Sequence, residues 1–188
     1  MKTVFFDIDS QLDFLYPAGA LYVPRAERIV PAIARLNRFA AAHGIPVVST
    51  TDAHAENDPE FSVWPPHCIV GTWGQRKAEA TLVDGASQII VEKQTVDVFL
   101  SPNLVRVVER LNADRYVVYG VVTEICVLYA VRGLLKTGKP VTVVTDAVAA
   151  LTAEASVRAL EEVRAGGGAL ARVSEIDAPQ FSACTCTR

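Results

Sequence analysis

Short apolar runs alternate with longer amphipathic segments along this chain, and this alternation constrains the fold more than any other feature. Residues 4–8 form the first apolar run, residues 24–43 carry apolar side chains at helical spacing, and residues 46–51 are predicted to form a buried strand. Repeated strand–helix units of this kind pack around a mainly parallel sheet. The sequence therefore predicts a three-layer α/β/α fold with a doubly wound sheet.

The same pattern continues to near the end of the chain. Three further strands are predicted at residues 88–92, 116–119 and 141–145, with a shorter sixth at 169–173, and three further helices at 102–111, 124–137 and 153–164. Ser101 before Pro102 predicts a helix start, and Gly138 and Gly166 predict helix ends. With neither a repeat nor a linker, residues 1–178 are expected to form one domain, and residues 179–188 a flexible tail.

Composition and charge exclude several classes of function. Hydrophobic residues make up 51% of the chain and the formal net charge is -3, without long runs of one sign. Such a surface lacks the basic stripe that binds nucleic acid and the polybasic patch that binds a membrane. No apolar stretch reaches the roughly 18 residues that a membrane span needs. Carboxylates also lie among the first residues, where a signal peptide would need an apolar segment. We therefore expect a cytoplasmic protein with a small-molecule partner, and homo-oligomerisation stays open.

The cysteines show no evenly spaced disulfide framework. Cys68 and Cys126 lie far apart in apolar surroundings, whereas Cys184 and Cys186 lie within five residues of the end. A reducing compartment agrees with this distribution. The last two cysteines are expected to belong to the loose tail and not to a metal site.

Polar side chains follow four of the predicted strands. In open parallel sheets, ligands bind in the crevice outside the carboxyl ends of the strands. Asp9 follows the first strand, Asp52 and His54 the second, Lys93 the third, and Cys126 the fourth. These side chains are therefore expected to converge at one edge of the sheet.

Cys126 is the candidate nucleophile of this set. It would lie in the first turn of a helix, three residues after Thr123, which is a predicted N-cap. Backbone N–H groups at a helix start lower a thiol's pKa and can bind the oxyanion of a tetrahedral intermediate. The apolar neighbours Ile125 and Val127 equally suit an inert buried cysteine, so this residue alone does not decide between the two interpretations.

Asp9 and Lys93 could together activate such a thiol. A carboxylate that ends a buried strand needs a partner to stay charged, and Lys93 can provide it. Asp9 would accept the thiol proton and Lys93 would stabilise both anions, so a nucleophile forms without histidine. Taken singly, Asp9 also fits a loop cap and Lys93 a solvated strand end.

A metal site is the second predicted feature. Asp52, His54 and His67 offer one carboxylate and two imidazoles within a long segment that has no helical or strand period, and Glu60 could be a fourth ligand. This set suits zinc, iron or manganese with positions left open for water or substrate. The alternative is that both histidines only cap loop structure.

Taken together, these residues resemble the nicotinamidase branch of the isochorismatase-like cysteine hydrolases. The resemblance runs from residue 3 to residue 172, with all of its motifs in the family's order. The matching segments are Asp9-Ser10-Gln11-Leu12-Asp13-Phe14, Asp52-Ala53-His54, Trp64-Pro65-Pro66-His67-Cys68 with Gly71-Thr72, Val91-Glu92-Lys93, and Gly120-Val121-Val122-Thr123-Glu124-Ile125-Cys126-Val127.

The resemblance assigns a catalytic role to four residues. It implies a triad of Asp9, Lys93 and Cys126 and an oxyanion hole formed by the amides of Val122 and Cys126. It also implies a non-proline cis peptide between Val121 and Val122. The expected reaction is hydrolysis of nicotinamide, or a close heteroaromatic amide, to the carboxylic acid and ammonia, a step of NAD salvage.

The resemblance further implies a divalent transition metal, zinc first and iron or manganese as alternatives, that orients the ring nitrogen. Phe14 and Trp64 are tied in sequence to residues of the site and are expected to flank the aromatic ring. The sequence departs from the family pattern at Glu60, so the ligands of the metal are not determined. It also departs in the segment Gln-Thr-Val-Asp-Val-Phe after Lys93, so one wall of the pocket is not determined. The alternatives are a sister amidase for N-carbamoyl or ureido substrates and a non-catalytic metabolite-binding protein.

Overall fold

The computed structural model describes residues 1–83 and 88–177, and a six-stranded sheet forms its centre. All strand pairings are parallel, and the strand order is β3-β2-β1-β4-β5-β6. The strands are β1 (Thr3–Ile8), β2 (Val47–Asp52), β3 (Gln88–Lys93), β4 (Arg115–Val121), β5 (Val141–Ala149) and β6 (Ala169–Ala171). All six predicted strands are therefore present.

Helices cover the sheet, and the strand order explains how they are divided. They are α1 (Leu12–Leu15), α2 (Val30–Ala42), α3 (Pro102–Leu111), α4 (Leu128–Leu135), α5 (Ala153–Ala165) and α6 (Val173–Ile176). The chain moves along the sheet in one direction from β1 to β3 and in the other from β4 to β6. Because crossovers are right-handed, α2 covers one face, and α4 and α5 cover the other. The predicted three-layer α/β/α fold is confirmed.

The central strands β1 and β2 are buried because both of their faces are covered. Every residue of β1 is buried, and so is every residue of β2. Strands of this kind need near-continuous apolar runs, which is what residues 4–8 provide. The edge strand β3 alternates between exposed and buried residues along its second half, so one of its faces is covered there and the other is open to solvent.

A buried polar network lies between β1 and α2. Lys77 Nζ contacts Asp7 Oδ2 and Ser10 Oγ. Asn37 Nδ2 donates to Asp7 Oδ2 at 2.7 Å, and the Tyr119 hydroxyl donates to Asn37 Oδ1 at 2.5 Å. Lys77 and Asp7 thus form a buried ion pair that is separate from the residues predicted for the site.

Three local predictions need correction. The helix expected over residues 24–43 begins only at Val30, after a 3-10 turn at Ala26–Ile29. Thr123 is not an N-cap: Val122 precedes a π-helical turn, Thr123–Val127, which leads into α4. After α5 the positive φ is at Gly167 and not at Gly166, because Gly166 keeps the helical conformation.

Among the described residues, no helix has the length and apolar character needed to cross a membrane. The predicted tail, residues 179–188 with Cys184 and Cys186, lies outside the described residues.

Candidate active site

Two central strands, β1 and β4, are neighbours at the point where the strand order changes direction. Ligands bind at such switch points, outside the carboxyl ends of the strands. Asp9 comes directly after β1, and the turn that carries Cys126 follows β4 after a cis peptide between Val121 and Val122. The fold therefore brings the end of the first motif next to the nucleophile motif.

Lys93 joins the predicted catalytic residues into one buried cluster. Its ammonium lies 2.9 Å from Asp9 Oδ2 and 3.7 Å from Cys126 Sγ, and it also contacts Asp52 Oδ1. Burial by itself lowers the pKa of Lys93, but Asp9, Cys126 and Asp52 together hold that pKa well above its ordinary value. Lys93 is therefore a permanent cation. Its second carboxylate partner, Asp52, was not anticipated from the sequence.

Asp9 is held in place by β2. The Thr50 hydroxyl donates to Asp9 Oδ1 at 2.6 Å, and the Asp9 backbone N–H donates to the Thr50 carbonyl at 3.1 Å. Asp9 has a φ of 48°, in the left-handed region that residues other than glycine seldom adopt. Uncommon backbone conformations of this kind cluster at functional sites, where the surrounding structure maintains them.

The thiol of Cys126 is protonated at rest. Burial raises the pKa of Cys126 well above its ordinary value, and Asp9 and Asp52 raise it further against the opposing effect of Lys93. The expectation that the helix start lowers this pKa is therefore wrong, because burial outweighs it. A nucleophilic Cys126 needs a group that accepts its proton during attack, and Asp9 is the neighbouring carboxylate.

Asp52, His54 and His67 form the second cluster. Each of them offers one ligand atom, and these atoms all lie within 4.8 Å of one another. Both His54 Nε2 and His67 Nε2 lie 3.9 Å from Asp52 Oδ2. His67 Nδ1 donates to the Pro65 carbonyl at 2.7 Å, which leaves a lone pair on Nε2.

These residues fit a divalent cation. His54 Nε2 is buried and has no hydrogen-bond partner, a costly arrangement unless a ligand occupies it. Burial raises the pKa of Asp52 to about 6, although Lys93 opposes this effect, so additional positive charge would stabilise the carboxylate. Burial also lowers the pKa of His67 and so favours the neutral imidazole that metals bind.

Glu60 lies near this cluster but outside it. Its carboxylate does not belong to the set within 4.8 Å, although the residue lines the same pocket as Asp52 and His67. Burial and the neighbouring Asp52 raise the pKa of Glu60 above its ordinary value. In this conformation Glu60 is therefore part of the pocket wall.

Two supporting residues in the first motif were not singled out by the sequence reasoning. Gln11 forms two hydrogen bonds with the backbone of Asp52. Its Oε1 accepts from the Asp52 N–H at 2.6 Å, and its Nε2 donates to the Asp52 carbonyl at 2.8 Å. The Asp13 carboxylate accepts from the N–H groups of Ala20 and Cys68, at 2.8 and 2.7 Å. The signal that could have identified them is that both are polar residues in a segment that must be buried.

Both clusters open into one small apolar pocket, with about 400 Å³ of empty space including its solvent-filled mouth. The predicted ring-binding residues Phe14 and Trp64 line it together with Val122 and Cys126. Its other apolar walls come from Leu21, Val23, Val96, Ile125 and Leu151. No Lys or Arg is among these lining residues.

Two connections contribute to the lining of this pocket: the segment after Lys93, which departs from the family pattern, and the connection after β5. Val96 belongs to the short segment after Lys93, whereas Leu151 lies in the connection between β5 and α5. The Leu151 N–H donates to Glu124 Oε1 at 2.9 Å, which ties this connection to the nucleophile turn. The part of the pocket lining that the sequence did not determine is thus aliphatic.

Comparison with known proteins gives a consistent result. The family model for the isochorismatase domain matches residues 3–175. A nicotinamidase/pyrazinamidase of Mycobacterium tuberculosis is 30% identical over 173 residues, which cover 84% of this chain and 91% of the relative. The crystal structure of Pyrococcus horikoshii pyrazinamidase in complex with zinc has a TM-score of 0.84 at 30% identity and covers 92% of this chain and 99% of its own.

An N-carbamoylsarcosine amidase structure from Thermoplasma acidophilum is also similar. It has a TM-score of 0.82 at 26% identity and covers 95% of this chain and 100% of its own. The family match and these relatives confirm the predicted enzyme class, a hydrolase of amide carbon–nitrogen bonds. The chain therefore belongs to the isochorismatase family, on the side that includes nicotinamidases.

Proposed function

We propose that this chain is a metal-containing cysteine amidohydrolase that converts nicotinamide, or a closely related heteroaromatic amide, to the carboxylic acid and ammonia. One observation carries the proposal: Cys126, the Asp52 and His67 side chains and the aromatic residues Phe14 and Trp64 all line the same small pocket. A role in NAD salvage in the cytoplasm, with residues 1–178 as the active domain, is part of the proposal.

The first half of the reaction forms a thioester. The Cys126 sulfur attacks the amide carbonyl carbon, the thiol proton passes to Asp9, and the carbonyl electron pair moves to oxygen. The N–H groups of Val122 and Cys126 would donate hydrogen bonds to this oxyanion. When the intermediate collapses, the carbon–nitrogen bond breaks and Asp9 returns the proton to the departing ammonia.

The second half releases the acid. Asp9 removes a proton from water, the resulting hydroxide attacks the thioester, and the sulfur leaves and is reprotonated as the thiol. Lys93 stays protonated throughout, so it neutralises whichever of Asp9 and Cys126 carries the negative charge. The cycle closes with no net change in the protein.

Asp52, His54 and His67 would hold a divalent metal, zinc first and iron or manganese as alternatives, which supplies an electrophilic position for the ring nitrogen. Binding of the ring nitrogen there would place the amide carbonyl carbon close to Cys126. Phe14 and Trp64 would hold the ring between them.

The sister-amidase alternative is disfavoured by the walls of the pocket. A substrate such as N-carbamoylsarcosine carries a carboxylate, and a carboxylate needs a cation or several N–H donors when it leaves water. Away from the proposed metal position, the described residues that line the pocket are mostly apolar or aromatic, include the acidic Glu60 and contain no Lys or Arg. A neutral aromatic amide fits these walls better.

A substrate panel tests this choice. We expect the parent enzyme to prefer nicotinamide and pyrazinamide over benzamide, which lacks the ring nitrogen. Replacing Trp64 by alanine should lower kcat/KM for aromatic amides about tenfold, because one stacked pair contributes roughly 0.5–1.5 kcal/mol beyond burial. Trp73→Ala is the control, since Trp73 is half exposed and does not line this pocket. A tenfold preference for N-carbamoylsarcosine would establish the sister-amidase function instead, and no turnover of any amide would indicate a binding protein.

Metal removal provides a second test. We expect chelation to remove nicotinamide hydrolysis measured at substrate concentrations near the parent's KM, and one equivalent of Zn²⁺, Fe²⁺ or Mn²⁺ to restore it. His54→Ala and His67→Ala should mainly raise KM, because a metal that only positions substrate contributes equally to the ground and transition states. Elemental analysis of active enzyme measures the stoichiometry. Full activity in metal-free protein would contradict the metal assignment and leave the cysteine mechanism standing.

A further inference from the structure

Asp58 contacts the metal cluster from its outer side. It follows His54 by four residues, and its Oδ2 lies 3.0 Å from His54 Nδ1. The Asp58 side chain is only 10% exposed. The approach is a charge–dipole contact and not an aligned hydrogen bond, since His54 Nδ1 has no hydrogen-bond partner of standard geometry. No other acidic side chain of the described residues forms an ion-pair contact with this nitrogen.

This contact determines which nitrogen of His54 can bind a metal. A carboxylate next to Nδ1 favours the tautomer with the proton on Nδ1, which leaves the lone pair on Nε2. His54 Nε2 is the atom that lies 3.9 Å from Asp52 Oδ2. Carboxylates that orient a metal-binding histidine in this way typically change metal affinity about 10–100-fold when they are removed.

The other oxygen of Asp58 anchors the next turn of the chain. Asp58 Oδ1 accepts from the Glu60 N–H at 2.9 Å and caps the 3-10 helix Pro59–Ser62. Phe61 of this turn packs against both imidazoles, with ring centroids 5.4 Å from His54 and 5.8 Å from His67. One carboxylate therefore holds both a metal-binding ring and the turn that packs against it.

We propose that Asp58 is a positioning residue of the metal site, which fixes the tautomer and orientation of His54 and anchors the turn that carries Glu60 and Phe61. This inference rests on the metal site of the proposed function. It assigns to Asp58 no contact with substrate.

Two substitutions separate positioning from capping. Asn caps a helix about as well as Asp and has the same shape, so Asp58→Asn keeps the bond to the Glu60 N–H but loses the charge next to His54. We expect it to bind Zn²⁺ at least tenfold more weakly, with a thermal midpoint within about 2 °C of the parent. Asp58→Ala should lose both functions, so its midpoint in the metal-free state should fall as well.

The measurement is Zn²⁺ affinity by competition with a chromogenic chelator, on the full chain stripped of metal, with thermal unfolding of the same samples. Asp97→Asn is the matched control, because Asp97 caps the 3-10 helix Val98–Leu100 through the Phe99 N–H at 3.0 Å and forms no ion-pair contact with a histidine of the described residues. Its Zn²⁺ affinity should equal that of the parent.

The possible outcomes test the role of Asp58 and the metal site separately. Weakening of at least tenfold in Asp58→Asn at an unchanged midpoint supports the positioning role, whether or not Asp58→Ala folds. Weakening below tenfold overturns the inference and leaves the metal site in place. A parent protein that binds no Zn²⁺ stoichiometrically overturns both.

Discussion

Cys126→Ala is expected to lower the rate of nicotinamide hydrolysis at least roughly a thousandfold and to leave the fold intact, because the thiol supplies the whole of the nucleophilic step. Lys93 keeps both of its carboxylate partners in this variant, so no buried charge is left without a counter-charge. Ammonia release at saturating substrate and thermal unfolding measure the two effects.

Cys68→Ala is the matched control for the nucleophile. Cys68 is completely buried, and its sulfur lies 4.0 Å from the Gly74 carbonyl and outside the pocket lining. We expect this variant to keep its activity and to lose only the modest stability of a small core side chain. An alkylating amide analogue should modify Cys126 in the parent before it modifies Cys68. Residual turnover above a thousandth of the parent would exclude a covalent mechanism through Cys126.

Lys93→Met should have the second largest effect and should affect both stability and activity. The substitution leaves Asp9 and Asp52 as two buried carboxylates without their shared cation. Breaking a buried ion pair by removing one partner costs about 3–5 kcal/mol, which corresponds to a fall of roughly 10 °C in Tm for a chain of this size. Because the charge next to the thiolate is also lost, kcat should fall by roughly a hundredfold or more.

Lys77→Met separates the two effects. Lys77 is similarly buried and pairs with Asp7, but its ammonium contacts neither Asp9 nor Cys126 among its resolved partners. It should lose comparable stability and keep kcat within roughly tenfold of the parent. Thermal unfolding should be measured on chelator-treated protein, which avoids compensation by a metal at Asp52, and kcat on the metal-loaded enzyme. A Lys93→Met variant with the parent's kcat would contradict the role of Lys93 in catalysis.

The positions of the strands and their mainly parallel type could be predicted from the sequence because short β-rich runs such as β1 and β2 alternate with amphipathic helical segments. The π-helical form of the turn before α4 could not be predicted. The cis peptide between Val121 and Val122 was expected from the resemblance alone and is present, whereas the bond between the Val127 N–H and the Val122 carbonyl at 3.1 Å has no local sequence signal. Thr123 therefore looked like a cap without being one.

The membership of the site could be predicted better than its electrostatics. Motif spacing indicated Asp9, Lys93 and Cys126 as well as Asp52, His54 and His67, and the structure brings each set together. The shared role of Lys93 between both sets, and the high pKa of the thiol, depend on distances and burial that arise only when four strands meet. Spacing along the chain contains no information about either.

Two groups of pocket-lining residues differ in how freely they can change during evolution. Phe14 and Trp64 belong to the segments that also carry Asp9 and His67, so substitutions there risk disturbing the reacting groups. Val96 and Leu151 lie on connections whose described residues provide no side chain to the triad or the metal cluster. A lineage with this catalytic centre can therefore acquire a new amide substrate through changes at these two positions while the cost to the chemical step stays small.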